Sequence, residues 1–287
     1  MNIAFSEKSL YNILMNIRLT FRLIISLAVL SGAFLFFNFT AAASLPVARS
    51  TVSSTIPNYS QTLPIFMYHY IETPPATTKL PGLYLPTTIF ENQLQELRRY
   101  HYNPVFVSAI AQSLKAQKPL PQYSVALTFD DGYQDFYTNV FPLLKKYQMK
   151  ATLYVIINAL DKPDYLTTAQ LKEISASSLV EIGSHTFNHL DLKTLKLKKE
   201  KFEIANSKIF LERLLGRVVP TFAYPFGSFL PAQWPVVKNI GYQAAVSVNP
   251  GVVQSENDIW FLKRVRPNNR RGIEFARWLF GLYKWKY

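Results

Sequence analysis

The sequence contains no cysteine, and this absence narrows its chemistry at once. Disulfides and thiolate catalysis are both excluded, and any metal site must be built from histidine and carboxylate side chains. Histidine is also scarce, with 4 residues in a chain of 287. The candidate metal ligands are therefore few enough to be considered one at a time.

Acidic residues are outnumbered, with 18 Asp and Glu against 31 Lys and Arg, which gives a formal net charge of +13. A basic surface is suited to nucleic acid, to anionic lipid or to an acidic polymer. No recognisable nucleic-acid-binding motif accompanies the charge, and we therefore do not expect nucleic acid to be a partner. With 49% hydrophobic and 15% aromatic residues, the composition suits one large globular domain.

The N-terminus has the pattern of an export signal. Basic residues precede an uncharged apolar run at 23–39, and small residues follow at Ala41 and Ala43, where a signal peptidase could cleave. The run is long for a signal peptide, and as a helix of ~26 Å it falls slightly short of a ~30 Å hydrocarbon core. Residues 1–43 are therefore predicted to be a cleaved signal peptide or a membrane anchor, with the rest of the chain outside the cytoplasm.

Residues 44–62 are rich in Ser and Thr, contain no acidic residue and are predicted to be a linker. The remaining residues, 63–287, are enough for one folded domain, and in them short apolar runs alternate with helical patterns. The predicted strands are 65–70, 125–130, 151–157, 179–184, 220–224, 243–248 and 260–265. Such alternation is typical of an α/β fold with a parallel sheet, and seven strands predict a barrel with one unit fewer than the usual eight.

Polar residues that could carry chemistry follow the predicted strands. Asp130 and Asp131 end the second strand, and His69 lies at the end of the first. The segment 185–189 follows the fourth strand, and 224–227 follows the fifth. Because active sites of such barrels lie at the carboxyl ends of the strands, these groups are expected to meet at one rim.

The two histidines of "GSHTFNH", His185 and His189, are spaced so that a helical turn or tight loop brings both imidazoles onto one face. One added carboxylate would complete a two-His, one-carboxylate metal site with open positions for water and substrate. If Asp131 is that carboxylate, the metal absorbs its charge, and Asp130 is free to act as a base on the attacking water. Taken alone, Asp-Asp-Gly is equally typical of a turn, and two such histidines also occur on ordinary surfaces.

Together, these motifs resemble those of the polysaccharide deacetylases of carbohydrate esterase family 4. The segment "TFDDG" matches the first motif of the family, and "HTFNH" matches its H-[ST]-x-x-H motif. The segment "FAYPFG" resembles the third motif, usually F-R-x-P-[YF]-G, and the likeness covers about residues 63–266. The resemblance implies a distorted (β/α)7-type barrel and a metal-dependent enzyme that removes N-acetyl groups from N-acetylglucosamine polymers.

The resemblance also implies a role for each matching residue. Asp130 would be the catalytic base. The ligands of one divalent ion would be Asp131, His185 and His189. Zinc is the expected ion, and cobalt or nickel could replace it because all three ligands are nitrogen or oxygen donors. The segment Tyr224, Pro225 and Phe226 would contact the substrate, with the backbone N–H near Phe226 stabilising the oxyanion.

Two departures from the family pattern bear on the mechanism. Ala223 stands where the family usually has an Arg that pairs with the catalytic Asp, and Arg264 is the candidate replacement, although it could equally be structural. Many members also supply a general-acid histidine late in the chain, whereas none follows His189 here. His69 is the candidate acid, its alternative being a core histidine bonded to a backbone carbonyl, and His101 is expected to lie exposed at a helix end.

The "MYHYI" start and the third motif without Arg resemble the branch of the family that deacetylates β-1,6-linked poly-N-acetylglucosamine in biofilm matrices. Two other functions stay open. Ala223 favours a carbohydrate-binding or scaffold protein that has lost turnover, and a metal amidohydrolase for small molecules could have a similar barrel. The loop 72–88 could shape either an open groove for a polymer or a closed pocket for a small substrate.

The C-terminal segment 263–287 is basic, with eight Lys and Arg, one Glu and several aromatic residues. It is predicted to contain the last helix of the barrel. The alternative is that its aromatic and basic side chains contact an anionic membrane face or a polymer.

Overall fold

The computed structural model describes residues 59–228 and 233–284. The predicted export segment 1–43 and most of the predicted linker lie outside these residues. No helix within the described ranges is both long enough and apolar enough to cross a membrane.

Strands and helices alternate along the described chain. The strands are β1 (Ser60–Thr62), β2 (Ile65–Tyr68), β3 (Asn103–Pro104), β4 (Ser124–Phe129), β5 (Ala151–Val155), β6 (Val180–Ser184), β7 (Thr221–Ala223), β8 (Ala244–Pro250), β9 (Val253–Ser255) and β10 (Leu262–Arg264). The α-helices are α1 (Thr87–Arg99), α2 (Val107–Ala116), α3 (Phe141–Tyr147), α4 (Thr168–Ala176), α5 (Leu197–Leu215), α6 (Trp234–Asn239) and α7 (Gly272–Lys284). A π-helical turn, Phe136–Val140, leads into α3.

Seven parallel strands form the barrel, in the order β2, β4, β5, β6, β7, β8 and β10. Val265, the residue after β10, completes the circle, because its N–H donates to Ile65 O at 2.9 Å and its carbonyl accepts from Met67 N–H at 3.0 Å. The register shifts between β8 and β10, which makes the barrel irregular on that side. Each of these seven strands overlaps one of the seven predicted strands. The predicted distorted (β/α)7-type barrel is confirmed.

The amino-terminal end of the barrel is closed by α2. Its side chains Val107, Ile110 and Leu114 are fully buried. They belong to one apolar cluster with Ile65 and Ala244, the first residues of β2 and β8. Apolar burial at this end fixes the helix and fills the barrel floor. The opposite rim, at the carboxyl ends of the strands, is left for the polar residues.

The outer face of the barrel is covered by helices, and α7 is one of them. Phe275 and Leu279 are fully buried, and the Phe66 ring of β2 lies 6.1 Å from Phe275 and 5.4 Å from Trp278. The predicted last barrel helix is therefore confirmed. The alternative, contact of the C-terminus with a membrane or a polymer, is not supported by any observation, and the rings of Phe275 and Trp278 pack against the barrel instead.

Short strands at the barrel margin were not predicted. Strand β1 pairs with β9 in antiparallel register, from Ser60 opposite Ser255 to Thr62 opposite Val253. The last three residues of the predicted linker therefore belong to the folded domain.

Candidate active site

The turn after β4 carries two carboxylates at the open rim. Asp130 and Asp131 are both buried. Asp131 has a φ of 76°, and Gly132 N–H donates to Asp130 O at 3.0 Å, which closes a tight turn of three residues. This backbone conformation is strained for a residue with a side chain, and such strain is concentrated at functional sites. The turn sends the neighbouring carboxylates to different partners.

Asp130 is paired with Arg264. The guanidinium donates from both terminal nitrogens, to Asp130 Oδ1 and Oδ2, at 2.7 Å each. Arg264 is 1% exposed, and its Nε also donates to Ser247 O at 2.7 Å. Burial alone would raise the pKa of Asp130, but the charge and hydrogen bonds of Arg264 outweigh it and hold that pKa well below its usual range. Asp130 is therefore ionised and fixed in orientation.

The guanidinium thus reaches Asp130 from β10, the last strand of the barrel. Ala223, where the family motif usually has Arg, is fully buried in the apolar cluster of the barrel interior. Its carbonyl accepts from His185 Nδ1 at 2.8 Å. In the sequence, the pairing of Asp130 with Arg264 was indicated by an Arg near the end of the last predicted strand.

Asp131 faces both histidines of the second motif. Its Oδ1 lies 3.3 Å from His185 Nε2 and 3.4 Å from His189 Nε2, and the three donor atoms all lie within 4.8 Å of one another. The imidazoles come from the loop after β6, in which Thr186 and His189 have φ of 68° and 58°.

This cluster fits a divalent cation. The Asp131 Oδ1 atom is buried and has no hydrogen-bond partner among the described residues. Because His185 donates from Nδ1 to Ala223 O, its Nε2 can present a lone pair. Burial and neighbouring His185 lower the pKa of His189 to about 4, so its ring is neutral at neutral pH, as a ligand must be. One carboxylate and two imidazoles are a donor set that suits zinc.

Glu203, on α5, supports the histidine loop and was missed in the sequence. It is fully buried, and its carboxylate accepts from Asn188 N–H and from Asn188 Nδ2, both at 2.7 Å. Its backbone carbonyl accepts from Phe187 N–H at 3.1 Å. Glu203 therefore fixes the residues between the two histidines. A glutamate within a helical pattern gave no sign of this role.

His69 lies at the same rim, after β2. Its Nε2 is 3.9 Å from Asp130 Oδ2, and its side chain is 13% exposed. Nδ1 is buried without a hydrogen-bond partner among the described residues, so the bond to a backbone carbonyl expected of a purely structural histidine is not found there. Burial lowers the pKa of His69, against the attraction of Asp130 and Asp131. His101, by contrast, lies in an exposed turn after α1, as predicted.

Asp135 fixes the chain just beyond His69. Its Oδ2 accepts from Ile71 N–H, and Ile71 O accepts from Asn139 Nδ2 at 2.9 Å. The second carboxylate oxygen, Oδ1, is buried with no partner among the described residues. Burial raises the pKa of Asp135 to about 7. The loop that carries His69 is thus bound to the segment that follows Asp131.

The third motif borders the histidines. Tyr224 and Pro225 are buried, whereas Phe226 is 64% exposed and has a φ of 58°. The Phe226 ring lies 4.6 Å from the ring of His189. Gly227 has a φ of 63°, and a Cβ there would come within 2.1 Å of Val248, so only glycine fits.

A row of tyrosines beside the carboxylates was not predicted. The Tyr70 ring stacks on Tyr84 at 4.2 Å and on Tyr133 at 3.6 Å, and Tyr133 lies 5.0 Å from Tyr165. All four side chains are partly exposed. These residues are distant in sequence, so no local motif marks them.

Comparison with known proteins identifies similar chains. The family model for polysaccharide deacetylase matches residues 117–245. YxkH of Bacillus subtilis (strain 168), which carries the name of a polysaccharide deacetylase, is 31% identical over 204 residues, which are 71% of this chain and 71% of YxkH. A poly-β-1,6-N-acetyl-D-glucosamine N-deacetylase of Staphylococcus aureus (strain MRSA252) is 25% identical over 189 residues. The match covers 61% of this chain and 65% of the S. aureus protein.

An Escherichia coli (strain K12) protein of the same name is 38% identical over 117 residues, and the match spans 36% of this chain but only 17% of that protein. Among solved structures, the Streptococcus pyogenes deacetylase PplD in complex with acetate has a TM-score of 0.70 at 27% identity, covering 76% of this chain and 97% of PplD. IcaB from Ammonifex degensii has a TM-score of 0.64 at 22% identity, covering 77% of this chain and 97% of IcaB. The likeness to IcaB shows the fold alone.

Proposed function

Because the chain belongs to the polysaccharide deacetylase family and is therefore an N-deacetylase hydrolase, we propose that it removes N-acetyl groups from an N-acetylglucosamine polymer with the help of a divalent metal ion. One observation carries the proposal. The ionised, arginine-paired Asp130 lies directly beside the cluster of Asp131, His185 and His189, in which Asp131 and His185 are buried and His189 is partly exposed. A general base next to a metal site is typical of a metal-dependent hydrolase, whereas carbohydrate binding alone does not require a base there.

Asp131, His185 and His189 would hold the ion, with zinc expected first and cobalt or nickel as alternatives. When bound, the ion supplies a Lewis acid that polarises the acetamido carbonyl and lowers the pKa of a water molecule.

Asp130 would accept the proton of the water whose oxygen attacks the acetamido carbonyl carbon. Both of its oxygens are bonded to Arg264, but each carboxylate oxygen keeps a further acceptor site. Arg264 keeps the acid ionised and prevents it from rotating. We therefore assign Arg264 to positioning Asp130.

His69 would protonate the departing amine. When the bond between the carbonyl carbon and nitrogen breaks, acetate leaves one side and the sugar amine needs a proton on the other. His69 is at the rim, 3.9 Å from Asp130, and it is not part of the metal cluster. It is therefore the histidine that is free to donate a proton.

The third motif would bind the acetyl side of the substrate. Phe226 is exposed next to His189, and its backbone N–H is the proposed donor to the oxyanion. Tyr224 and Pro225 are buried beneath it and hold this segment in place.

For the substrate we propose β-1,6-linked poly-N-acetylglucosamine, supported by the names of the S. aureus and E. coli relatives. We also propose that the protein acts outside the cytoplasm after export by residues 1–43. If the segment is not cleaved, residues 23–39 would anchor the protein in the membrane.

Acetate release from defined β-1,6 and β-1,4 N-acetylglucosamine oligomers by metal-reconstituted protein tests the proposal. We expect release from the β-1,6 series and little from the Asp130→Asn control. Binding of both oligomers without any release would favour a carbohydrate-binding protein instead. Release from the acetylated monomer alone would favour a small-molecule amidohydrolase.

A further inference from the structure

A cavity of about 310 Å³ lies beside the proposed active site, on the side of His69. Three segments form its walls: the residues at the end of β2 and just beyond it, the turn 81–85, and residues 266–269 of the loop before α7. Its polar side chains include His69, Arg266, Asn268 and Asn269. The mechanism above uses His69 and leaves the other three without a role.

Arg266 forms no ion pair among the residues that the structure describes. It is half-buried, and it forms no hydrogen bond with any of these residues. Asp130 attracts it, but that carboxylate is already bonded twice to Arg264. None of the described residues that line the cavity is acidic. A guanidinium keeps its proton in proteins, so the cavity carries a positive charge that no ion pair among the described residues neutralises.

The loop that carries Arg266 is held in place. Gln93 of α1 is fully buried, and its Nε2 donates to Asn268 O and to Arg270 O at 2.8 Å each. The neighbouring Asn92 accepts from Gly272 N–H at 2.6 Å. The Arg266 guanidinium is therefore presented by a fixed wall, which lowers the cost of ordering on binding.

The opposite wall is equally fixed. Tyr70 and Tyr84 stack with an angle of 4° between their rings. Their strand-like pairing is reinforced by Tyr70 N–H donating to Leu83 O at 3.1 Å and by Leu85 N–H donating to Tyr70 O at 2.9 Å. Partly exposed tyrosines offer an apolar face with a polar tip, which suits a sugar ring.

We propose that this cavity, the Arg266 cavity, binds a negatively charged unit of the polysaccharide, one that bears a carboxylate or a phosphate, next to the unit that is deacetylated. The inference rests on the proposed N-deacetylase function and extends its substrate, because a polymer of N-acetylglucosamine alone has no acidic group and would have to carry acidic units or acidic substituents in addition. A guanidinium bonds carboxylate and phosphate in the same forked geometry, and the excess of basic over acidic residues in the chain attracts such a polymer from a distance. A unit that is already deacetylated carries an ammonium group and is repelled from the same cavity.

Three matched oligosaccharides test this inference: a neutral N-acetylglucosamine oligomer, and the same oligomer bearing one carboxylate or one phosphate. Binding is measured by calorimetry on metal-depleted protein, and acetate release is measured separately on metal-loaded protein. We expect the acidic oligomers to bind about 10- to 100-fold more tightly than the neutral one, as charged hydrogen bonds of this kind allow. Arg266→Gln should remove the difference. The matched control is Arg271→Gln, which changes an exposed arginine outside the cavity and should leave the difference intact.

Equal loss of affinity for neutral and acidic oligomers in Arg266→Gln would overturn the inference. A preference for one acid over the other supports it and identifies the source of the charge. If Arg266→Gln does not fold, the salt dependence of wild-type binding decides, because only the acidic oligomers should weaken steeply with salt. Preferential binding without acetate release from any oligomer would overturn the proposed function while leaving the cavity assignment in place.

Discussion

The carboxylate of Asp130 and the guanidinium of Arg264 meet across the barrel interior in two hydrogen bonds of 2.7 Å. Both groups are almost completely buried. Neither can be removed alone without leaving an unpaired charge in a site of low polarity, and the cost of such a charge is about 3–5 kcal/mol. The pair therefore links the stability of the fold to the proposed chemistry.

Arg264→Gln should lower the free energy of unfolding by an amount of that order and reduce acetate release strongly. Adding Ala223→Arg, which places an arginine at the usual motif position, should recover part of both losses because it supplies a partner to Asp130 from β7. Urea unfolding and acetate release from the single and double variants form the cycle. Strictly additive effects of the two changes would contradict this prediction.

Asp130→Asn and Asp131→Asn should separate base from ligand. We expect Asp130→Asn to keep its metal and lose activity by about 10²- to 10⁴-fold, as removal of a general base does. Asp131→Asn should lose metal and activity together. Elemental analysis after dialysis provides the comparison, and equal metal loss in both variants would refute the division.

His69→Ala should fold and bind metal normally while deacetylation falls, because the amine would then leave unprotonated. Loss of the acid should also flatten the basic limb of the pH–rate profile. The control is His101→Ala, which changes an exposed histidine away from the rim. If turnover in His69→Ala stays close to wild type, His69 has only a packing role.

Glu203→Gln should weaken metal binding by about 10- to 100-fold, the usual effect of disturbing residues that orient ligands. The amide cannot accept two hydrogen bonds from Asn188 through two oxygens, so the loop between His185 and His189 loosens. Glu212→Gln is the control, since that glutamate lies on the same helix and bonds Lys208 and Val219 instead. Competition with a chelator measures the affinity, and unchanged affinity in Glu203→Gln would disprove the role.

Asp135 should make stability depend on pH. Its pKa in the folded protein is raised to about 7 from an ordinary value of 3.8, so between these values the folded state binds more protons than the unfolded state. Stability should therefore fall as pH rises through this window, by at most ~1.4 kcal/mol per pH unit from this group. Asp135→Asn should remove that contribution. Urea midpoints from pH 4 to pH 8 test it, and an identical slope in the variant would argue against it.

The barrel strands were predictable because strands buried on both faces are continuous apolar runs with turn signals at their ends. Strands β1, β3 and β9 were not, since two or three residues leave no periodic pattern. The residues of the metal cluster and Asp130 could be predicted because they belong to two short sequence motifs. The pairing of Arg264 could only be suggested, because its partner is 134 residues away.

Glu203, Asp135 and the Arg266 cavity escaped sequence analysis for a related reason. Each acts through tertiary contacts between segments that have no fixed spacing, and a glutamate or aspartate in a helical region is ordinarily exposed. These residues gain their roles because the fold buries them, and burial depends on the tertiary structure of the whole domain.

Closure of the barrel has a consequence for how the chain folds. Val265 bonds to Ile65, and these residues are separated by 265 − 65 = 200 positions. During synthesis β2 and β8 therefore remain unpaired sheet edges until β10 has been made. Until then the charge of Asp130 is not balanced by Arg264. A contact of such long range also slows folding. Barrel closure therefore depends on the final strand. A chain that stops before Leu262 would leave two strand edges unpaired and prone to aggregation, and Asp130 would lack Arg264.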